Sequence, residues 1–467
     1  MTHSNPLLIG ELPSPTTGET VRWPPLGGAA LALALAEQAA CAPGPIVALA
    51  PDVHTADSLA AALDFFAADA TPVIAVPERE MLPYDTVSPA RAIVSERLRA
   101  LANLPTLARG IVLATADLSL ERLPPRDWLV GASFDHAVGQ RLDLEAFRAE
   151  LVAAGYAAVG EVREPGEFAL RGGLIDVFPT GADAPVRLEL SDDEIESLRH
   201  FDADTQLSGG KVERIRLLPA YEFPFNDDSI RGFRGAWRAR LAGDPMASDV
   251  YRAISEGRIP AGIESWLPLF FETTAGLADY LPSGATLATL PGFDDALDNA
   301  YRGIESRYEA LRHDIARPLL PSDEAFFTPG NVRDSLGGRS RIQVEAPPAA
   351  SSGAEKKPEK VNAAIDVETL PDLSLDARAG EPLERLLAFA GETPSLLLAA
   401  ESPGRRETVR ELLARRGLEP VLIDDWRTFR ERRPALALAV AELVDGFFLP
   451  KAGLAVVPDA AVFGTRA

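Results

Sequence analysis

The stretch REPGEFALRGGLIDVFPTGADAPVRLELSDDEIESLRHFD, residues 163–202, decides how the chain is read. Its apolar runs are short, alternate with polar residues and are parted by turns rich in Gly or Pro, which predicts an antiparallel meander. In VRLEL, Val186, Leu188 and Leu190 share one face while Arg187 and Glu189 share the other, because successive strand side chains point to opposite sides. Arg171 immediately precedes Gly172-Gly173, where a backbone without Cβ atoms turns tightly and leaves a long side chain exposed. Ser191-Asp192-Asp193 reads as a hairpin turn rather than a magnesium-binding strand end, since no phosphate-binding loop exists to present a nucleotide to it. On a meander face, Arg171 and Arg187 make a small cationic patch; the alternative is that each is paired with a neighbouring carboxylate on the sheet surface.

That patch sits on an acidic protein. The 467 residues include 69 Asp and Glu against 46 Lys and Arg, a net charge of -23, and such a field on average repels a phosphate backbone. Nucleic-acid binding by the chain alone is disfavoured, and the arginines of RAIVSERLRAL (91–101) and ELLARRG (411–417) read as belonging to amphipathic surface helices. With 46% hydrophobic residues the chain supports several cores, and three or four domains are expected. Its single cysteine, Cys41, excludes an internal disulfide framework, reads as a small buried thiol at a helix end, and suits a reducing compartment. The N-terminus lacks the basic and apolar regions of a signal peptide, and the longest apolar run, 26–36, is too short to span a bilayer. A soluble, cytoplasmic protein without membrane contact is expected.

Upstream of the meander, strand-like PIVALAP (45–51), TPVIAVP (71–77) and GIVLATADL (110–118) alternate with helical TADSLAAALDFFAAD (55–69) and SPARAIVSERLRALANL (88–104). This order predicts an α/β layer with a parallel sheet. Ser88-Pro89 fits an N-cap followed by the first helical residue. A short helix is expected in DLEAFRAELVAAGY (143–156), and a packed mixed unit in the aromatic-rich residues 217–333. APPAASSGAEKKPEK (346–360) lacks bulky apolar residues and reads as a linker, after which PSLLLAAESPGRRETVRELLARRGLEPVLIDD (394–425) restarts a strand–helix–strand pattern as a separate small α/β domain.

An α/β layer invites a search for nucleotide chemistry. The Gly pair in RWPPLGGAALALALAEQ (22–38) enters a helical run, but no Lys-Ser or Lys-Thr follows to hold phosphates or magnesium, and GGKV (209–212) lacks the hydroxyl and the upstream Gly. His3, His54, His136, His200 and His313 are scattered without metal-ligand spacing, and no G-x-S-x-G elbow occurs. SPGRRE (402–407) reads as a capped, solvated helix start, with anion binding the alternative. No catalytic residue, cofactor or metal is predicted, and the meander remains the most specific surface.

The blocks MLPYDTVSPARAIVSERLRAL (81–101), REPGEFALRGGLIDVFP (163–179), RLELSDDEIESLRHFD (187–202), LLPAYEF (217–223) and PAGIESWLPLFF (260–271) together resemble the UvrB-homology region of the bacterial transcription-repair coupling factors (Mfd). UvrB itself keeps a phosphate-loop Gly-Lys-Thr where this sequence has LGGAALAL (26–33), and it carries an aromatic hairpin where only one helix fits here. The resemblance implies an α/β multidomain chain. Its first layer would be helicase-like (RecA-like), without a nucleotide site, and interrupted by an inserted mixed domain that binds UvrA. On this basis residues 1–126 are the first part of the layer, 127–216 the insertion, 217–340 the second part of the UvrB-like module, 341–365 a flexible linker and 366–467 a small α/β domain. Arg171 and Arg187 stand at positions matching family arginines of the UvrA contact, and Ser191 stands where the family has an aromatic contact. The ending AVVPDAAVFGTRA (455–467) resembles the close of the family's third structural domain. The family's RNA polymerase module, its ATP- and magnesium-dependent DNA translocase motor and the domain covering the UvrA surface would then lie outside the chain. The expected role is non-enzymatic recruitment of UvrA in nucleotide excision repair; the alternatives are a weak NTPase or a DNA-binding module using an unrecognised site.

Overall fold

A computed structural model of the chain describes residues 8–10, 12–67, 71–346, 365–375 and 383–464. The first layer is a six-stranded sheet whose neighbours, in order, are Thr20–Trp23, Arg341–Val344, Thr286–Thr289, Ile46–Ala50, Ile111–Thr115 and Val73–Ala75. Every pairing in it is parallel. Its central strands are buried on both sides, which explains their continuous apolar runs. Ile46, Ala48, Ile111 and Leu113 turn to one core, Val47, Leu49, Val112 and Ala114 to another.

The second core is filled by the aromatic-rich residues after the insertion: Phe233 and Trp237 of the helix Asp227–Arg240 meet Trp266, Phe270 and Tyr251. Within it lies a charge network. Arg97 is fully buried and binds Glu222 at 2.5 Å and Glu121 at 2.6 Å, while Arg79 binds Glu222 at 2.5 Å. Burial by itself would raise the Glu222 carboxyl, but the Arg79 and Arg97 guanidiniums outweigh it and hold it down at about 2. The helix Arg91–Asn103 is therefore not a solvated amphipathic helix throughout, because one of its arginines is an interior ion. Its start also departs from the sequence reading. The N-cap is Ala90; the Ser88 hydroxyl instead accepts from the Gly262 N–H at 3.0 Å and donates to Glu264 at 2.9 Å, a long-range tie that local capping rules do not contain.

The first core has a wider extent than expected. The helices Gly28–Cys41 and Val53–Ala67 pack between one face of the parallel sheet and one face of a C-terminal sheet. The strand order of that sheet is Glu368–Thr369, Phe447–Leu449, Leu454–Pro458, Ser395–Ala400, Leu436–Val440, Val421–Leu422. Phe66 meets Trp426 edge-on at 5.0 Å and Phe447 at 6.1 Å across the junction. The C-terminal α/β unit, read from sequence as separate, keeps its own core on its far side but closes a shared core on the near side. That sandwiching accounts for a helix as uniformly apolar as Gly28–Cys41. Cys41, expected to be buried, ends that helix exposed. Ser402 caps the helix Pro403–Ala414 by accepting from the Arg405 N–H, as the SPGRRE reading has it, but the start is not the solvated one expected, because the Arg405 side chain donates to the buried Asp459 carboxylate at 2.5 Å. Of the stretch 341–365 expected as a linker, Arg341–Val344 is a strand of the parallel sheet, and 347–364 lies outside the described residues. Among the described residues no helix is long and apolar enough to cross a membrane.

Between the strands Ile111–Thr115 and Thr286–Thr289 the chain builds the meander: Ser208–Val212, Glu194–Phe201, Val186–Ser191, Leu174–Phe178, Glu167–Arg171 and Ala157–Ala158 in spatial order. All pairs are antiparallel except the last. Its dry face, with Phe168, Ile175, Val177, Val186, Leu188 and Ile195, packs on Phe147 and Leu151 of the helix Leu144–Ala153. Gly181, at φ +87°, lets the meander approach the helix Arg91–Asn103, where its N–H donates to Ser95 Oγ at 2.7 Å.

A candidate partner-binding face on the inserted sheet

The face opposite that core carries the residues singled out by the sequence. Register places Arg171 opposite Leu174 and Leu174 opposite Glu189; one row on, Asp176 stands opposite Arg187, Arg187 opposite Arg199, and Arg199 opposite Lys211. Cross-strand partners share a face, so Arg171, Arg187, Arg199 and Lys211 lie on one surface together with Asp176 and Glu189, and part of that surface is covered where Ala169, Phe178 and Phe201 form a small buried cluster with Val162.

The two expected arginines are held differently. Arg171 ends its strand at a hairpin whose next residue, Gly172, has φ +65°, and it is exposed, with its guanidinium donating to the Gly160 carbonyl. Arg187 is mostly buried, its side chain 17% exposed. Its Nε donates to Asp176 Oδ1 at 2.7 Å and its Nη2 to Asp176 Oδ2 at 3.0 Å, a two-pronged grip on a buried carboxylate. Nη1 reaches Ser208 Oγ at 3.1 Å, and the guanidinium lies 4.9 Å from the centre of the Phe201 ring. For Arg187 the pairing alternative thus describes the unliganded chain, whereas Arg171 bonds a backbone carbonyl.

Ser191 is exposed at the end of its strand, paired with Glu194 across the turn made by Asp192 and Asp193. Asp192 has φ +54°, a left-handed value that Asp tolerates better than most residues. The hairpin reading of Ser-Asp-Asp therefore describes this turn.

Sequence reasoning passed over Arg199 and Lys211. SLRHF does not alternate cleanly, since Phe201 lies buried on the Arg199 side, and Lys211 stands in a Gly-rich segment on the edge strand of the sheet. Arg199 directly opposite Lys211 is a like-charge pair, an arrangement that costs stability in a free sheet and is relieved by an acidic partner. Among the described residues no group of His, Cys, Asp or Glu is arranged to hold a metal ion.

Comparison with known proteins gives these surfaces a family. A family model for the UvrB interaction domain matches residues 134–223, and one for the MFD D3 domain matches 389–461. The transcription-repair-coupling factor of Escherichia coli K12 is 35% identical over 94% of this chain, and that of Haemophilus influenzae is 34% identical over 90%. The Myxococcus xanthus protein of that name is 31% identical over 96%. The chain spans 38%, 36% and 39% of the length of these relatives, respectively. With a UvrB interaction domain, an MFD D3 domain and relatives aligned along nearly its whole length, the chain belongs to the transcription-repair-coupling factor family, whose N-terminal part it matches.

Proposed function

We propose that the chain is a non-enzymatic recruitment part of a transcription-repair coupling factor, docking UvrA through the outer face of the inserted sheet in nucleotide excision repair. The observation that carries this reading is the row of Arg187, Arg199 and Lys211, with Arg171 beside it, on the one domain that matches the UvrB interaction model. Arginines in such a row grip carboxylates with fixed geometry, and a basic face on an acidic chain orients an acidic partner as it approaches. Arg171 meets the partner directly. Arg187, anchored by Asp176 and Phe201, offers its remaining donor capacity from a fixed position, which limits the side-chain entropy lost on binding. Ser191 at the rim contributes little compared with an aromatic anchor, so the contact is centred on the arginines.

In this reading the parallel layer is helicase-like in descent and holds no nucleotide. The support is that its Gly27-Gly28 helix start lacks the Lys and hydroxyl of a phosphate loop, and that the first N–H groups there are engaged by Asp445. ATP, magnesium, DNA and RNA polymerase would be handled by other parts of the family protein, and the residues 1–126, 127–216, 217–340 and 366–467 would act as its layer, insertion, second half-layer and D3 unit. The test is a pull-down of purified UvrA by the chain, with charge reversals on the basic face. Retention of UvrA that charge reversal abolishes supports the reading; retention indifferent to it refutes the site.

A further inference from the structure

A helix begins with N–H groups that have no partner within the helix, and these attract an anion or a capping side chain. The helix Gly28–Cys41 has Gly27 at its N-cap and so no cap of its own. Instead, the Asp445 carboxylate accepts from the Gly28 N–H at 2.8 Å through one oxygen and from the Ala29 N–H at 2.7 Å through the other. Asp445 belongs to the C-terminal unit, on the loop between the strands Leu436–Val440 and Phe447–Leu449. Its position is tightly fixed: a Cβ on the next residue, Gly446, would lie 2.3 Å from the Val456 carbonyl oxygen, so the loop is pressed onto its own sheet.

The glycine pair fits this contact. A Cβ on Gly27 would lie 2.4 Å from one Asp445 oxygen, and a Cβ on Gly28 3.4 Å from the other. Gly27 has φ -67° and ψ 164°, which any residue adopts, so its backbone does not demand glycine. The room a Cβ would need is taken by the carboxylate, which could move aside only by giving up its bonds to the two N–H groups.

We propose that Asp445 is an internal anion seated on the N-terminus of the helix Gly28–Cys41, where it latches the C-terminal unit to the parallel layer and keeps other anions, phosphate groups included, from that position. Gly27 and Gly28, which a sequence search meets as half of a phosphate loop, are then small for the sake of a carboxylate of the same chain. This inference stands apart from UvrA recruitment and survives or fails without it.

The test uses the full chain with Gly27→Ala, Asp445→Ala and both together, read by amide exchange at Gly28 and Ala29 and by thermal unfolding. Gly27→Ala lowers the melting temperature and speeds exchange at those amides by about fivefold to tenfold, in line with loss of a helix cap. In the Asp445→Ala background the same substitution adds nothing, because the atoms its Cβ would strike are gone. Asp445→Ala alone exposes the two N–H groups, and formate slows their exchange again where chloride at equal ionic strength does not. Asp445→Asn keeps the shape, loses the charge and also speeds exchange, which preserves the test should the Ala variant not fold. The proposal is overturned if Gly27→Ala is equally costly in both backgrounds, if exchange at Gly28 and Ala29 ignores every Asp445 substitution, or if formate fails to restore protection in the folded Asp445→Ala chain.

Discussion

Arg187→Ala is expected to destabilise the inserted sheet far more than Arg171→Ala, although both remove a basic residue from the same face. The Asp176 side chain is 4% exposed and would lose two charge-assisted hydrogen bonds, while the Arg187 side chain is 17% exposed. Removing one partner of a buried pair costs about 3–5 kcal/mol, because the other charge is left desolvated. Water reaching the vacated Arg187 position moderates this, and a cost of about 2–3 kcal/mol is expected, including the lost contact with Phe201. Arg171 is exposed and its bond to the Gly160 carbonyl is replaced by water, so its removal leaves the sheet unchanged. A cycle with Asp176→Ala separates pairing from other effects: the double variant, with no orphaned carboxylate, recovers about 1–2 kcal/mol relative to the sum of the single changes. The assay is native-state hydrogen exchange on the full chain, read in the strands Leu174–Phe178 and Val186–Ser191. If Arg187→Ala costs less than about 0.5 kcal/mol, or the two single costs simply add, Arg187 is not anchored as described.

Three further outcomes follow from the geometry. Glu222→Gln leaves Arg79 and Arg97 short of a buried counter-charge and lowers stability at neutral pH by about 3–5 kcal/mol, measured by circular dichroism melts. Because the folded Glu222 pKa is depressed from 4.5 to about 2, its stabilisation is complete above pH 4.5 and is lost as pH falls through about 2; Glu222→Gln removes that part of the acid dependence, and an unchanged acid profile would contradict the network's role. Phe66→Ala empties the junction between Trp426 and Phe447, costs about 3–5 kcal/mol, and raises exchange in the strands Phe447–Leu449 and Leu454–Pro458; full protection there would mean that the C-terminal unit folds independently of the shared core. Arg199→Glu and Lys211→Glu each weaken UvrA binding in a titration at low salt, and unaltered affinity for both would contradict docking on that row.

What the sequence disclosed, and what it did not, follows the range of the interactions. Alternation in VRLEL sorted Arg187 and Glu189 from Val186, Leu188 and Leu190 correctly, because strand geometry is local. The turn at Asp192-Asp193 and the cap at Ser402 were legible for the same reason. Ser88-Pro89 looked like a cap equally well, yet the hydroxyl went to Gly262 and Glu264, partners far along the chain. Arg97 sits in a pattern that reads as an amphipathic surface, and only the fold supplies Glu121 and Glu222 to neutralise it indoors. The shared core left one readable sign, the uninterrupted apolar run at 26–36, which a helix with a solvated face does not need. Arg199 and Lys211 became neighbours of Arg187 only through strand register, which no single strand encodes.

We propose that UvrA docks on the outer face of the inserted sheet. The most direct measurement is a calorimetric titration of purified UvrA onto the wild-type full chain and onto Arg171→Glu, at two salt concentrations. Arg171 is the residue to change because its replacement leaves the Arg187–Asp176 pair intact, so that loss of binding is not loss of folding. Binding by wild type that weakens with salt, and an affinity reduced about tenfold or more by Arg171→Glu at low salt, is the predicted result. An Arg171→Glu chain that binds UvrA as tightly as wild type, at both salt concentrations, would contradict it.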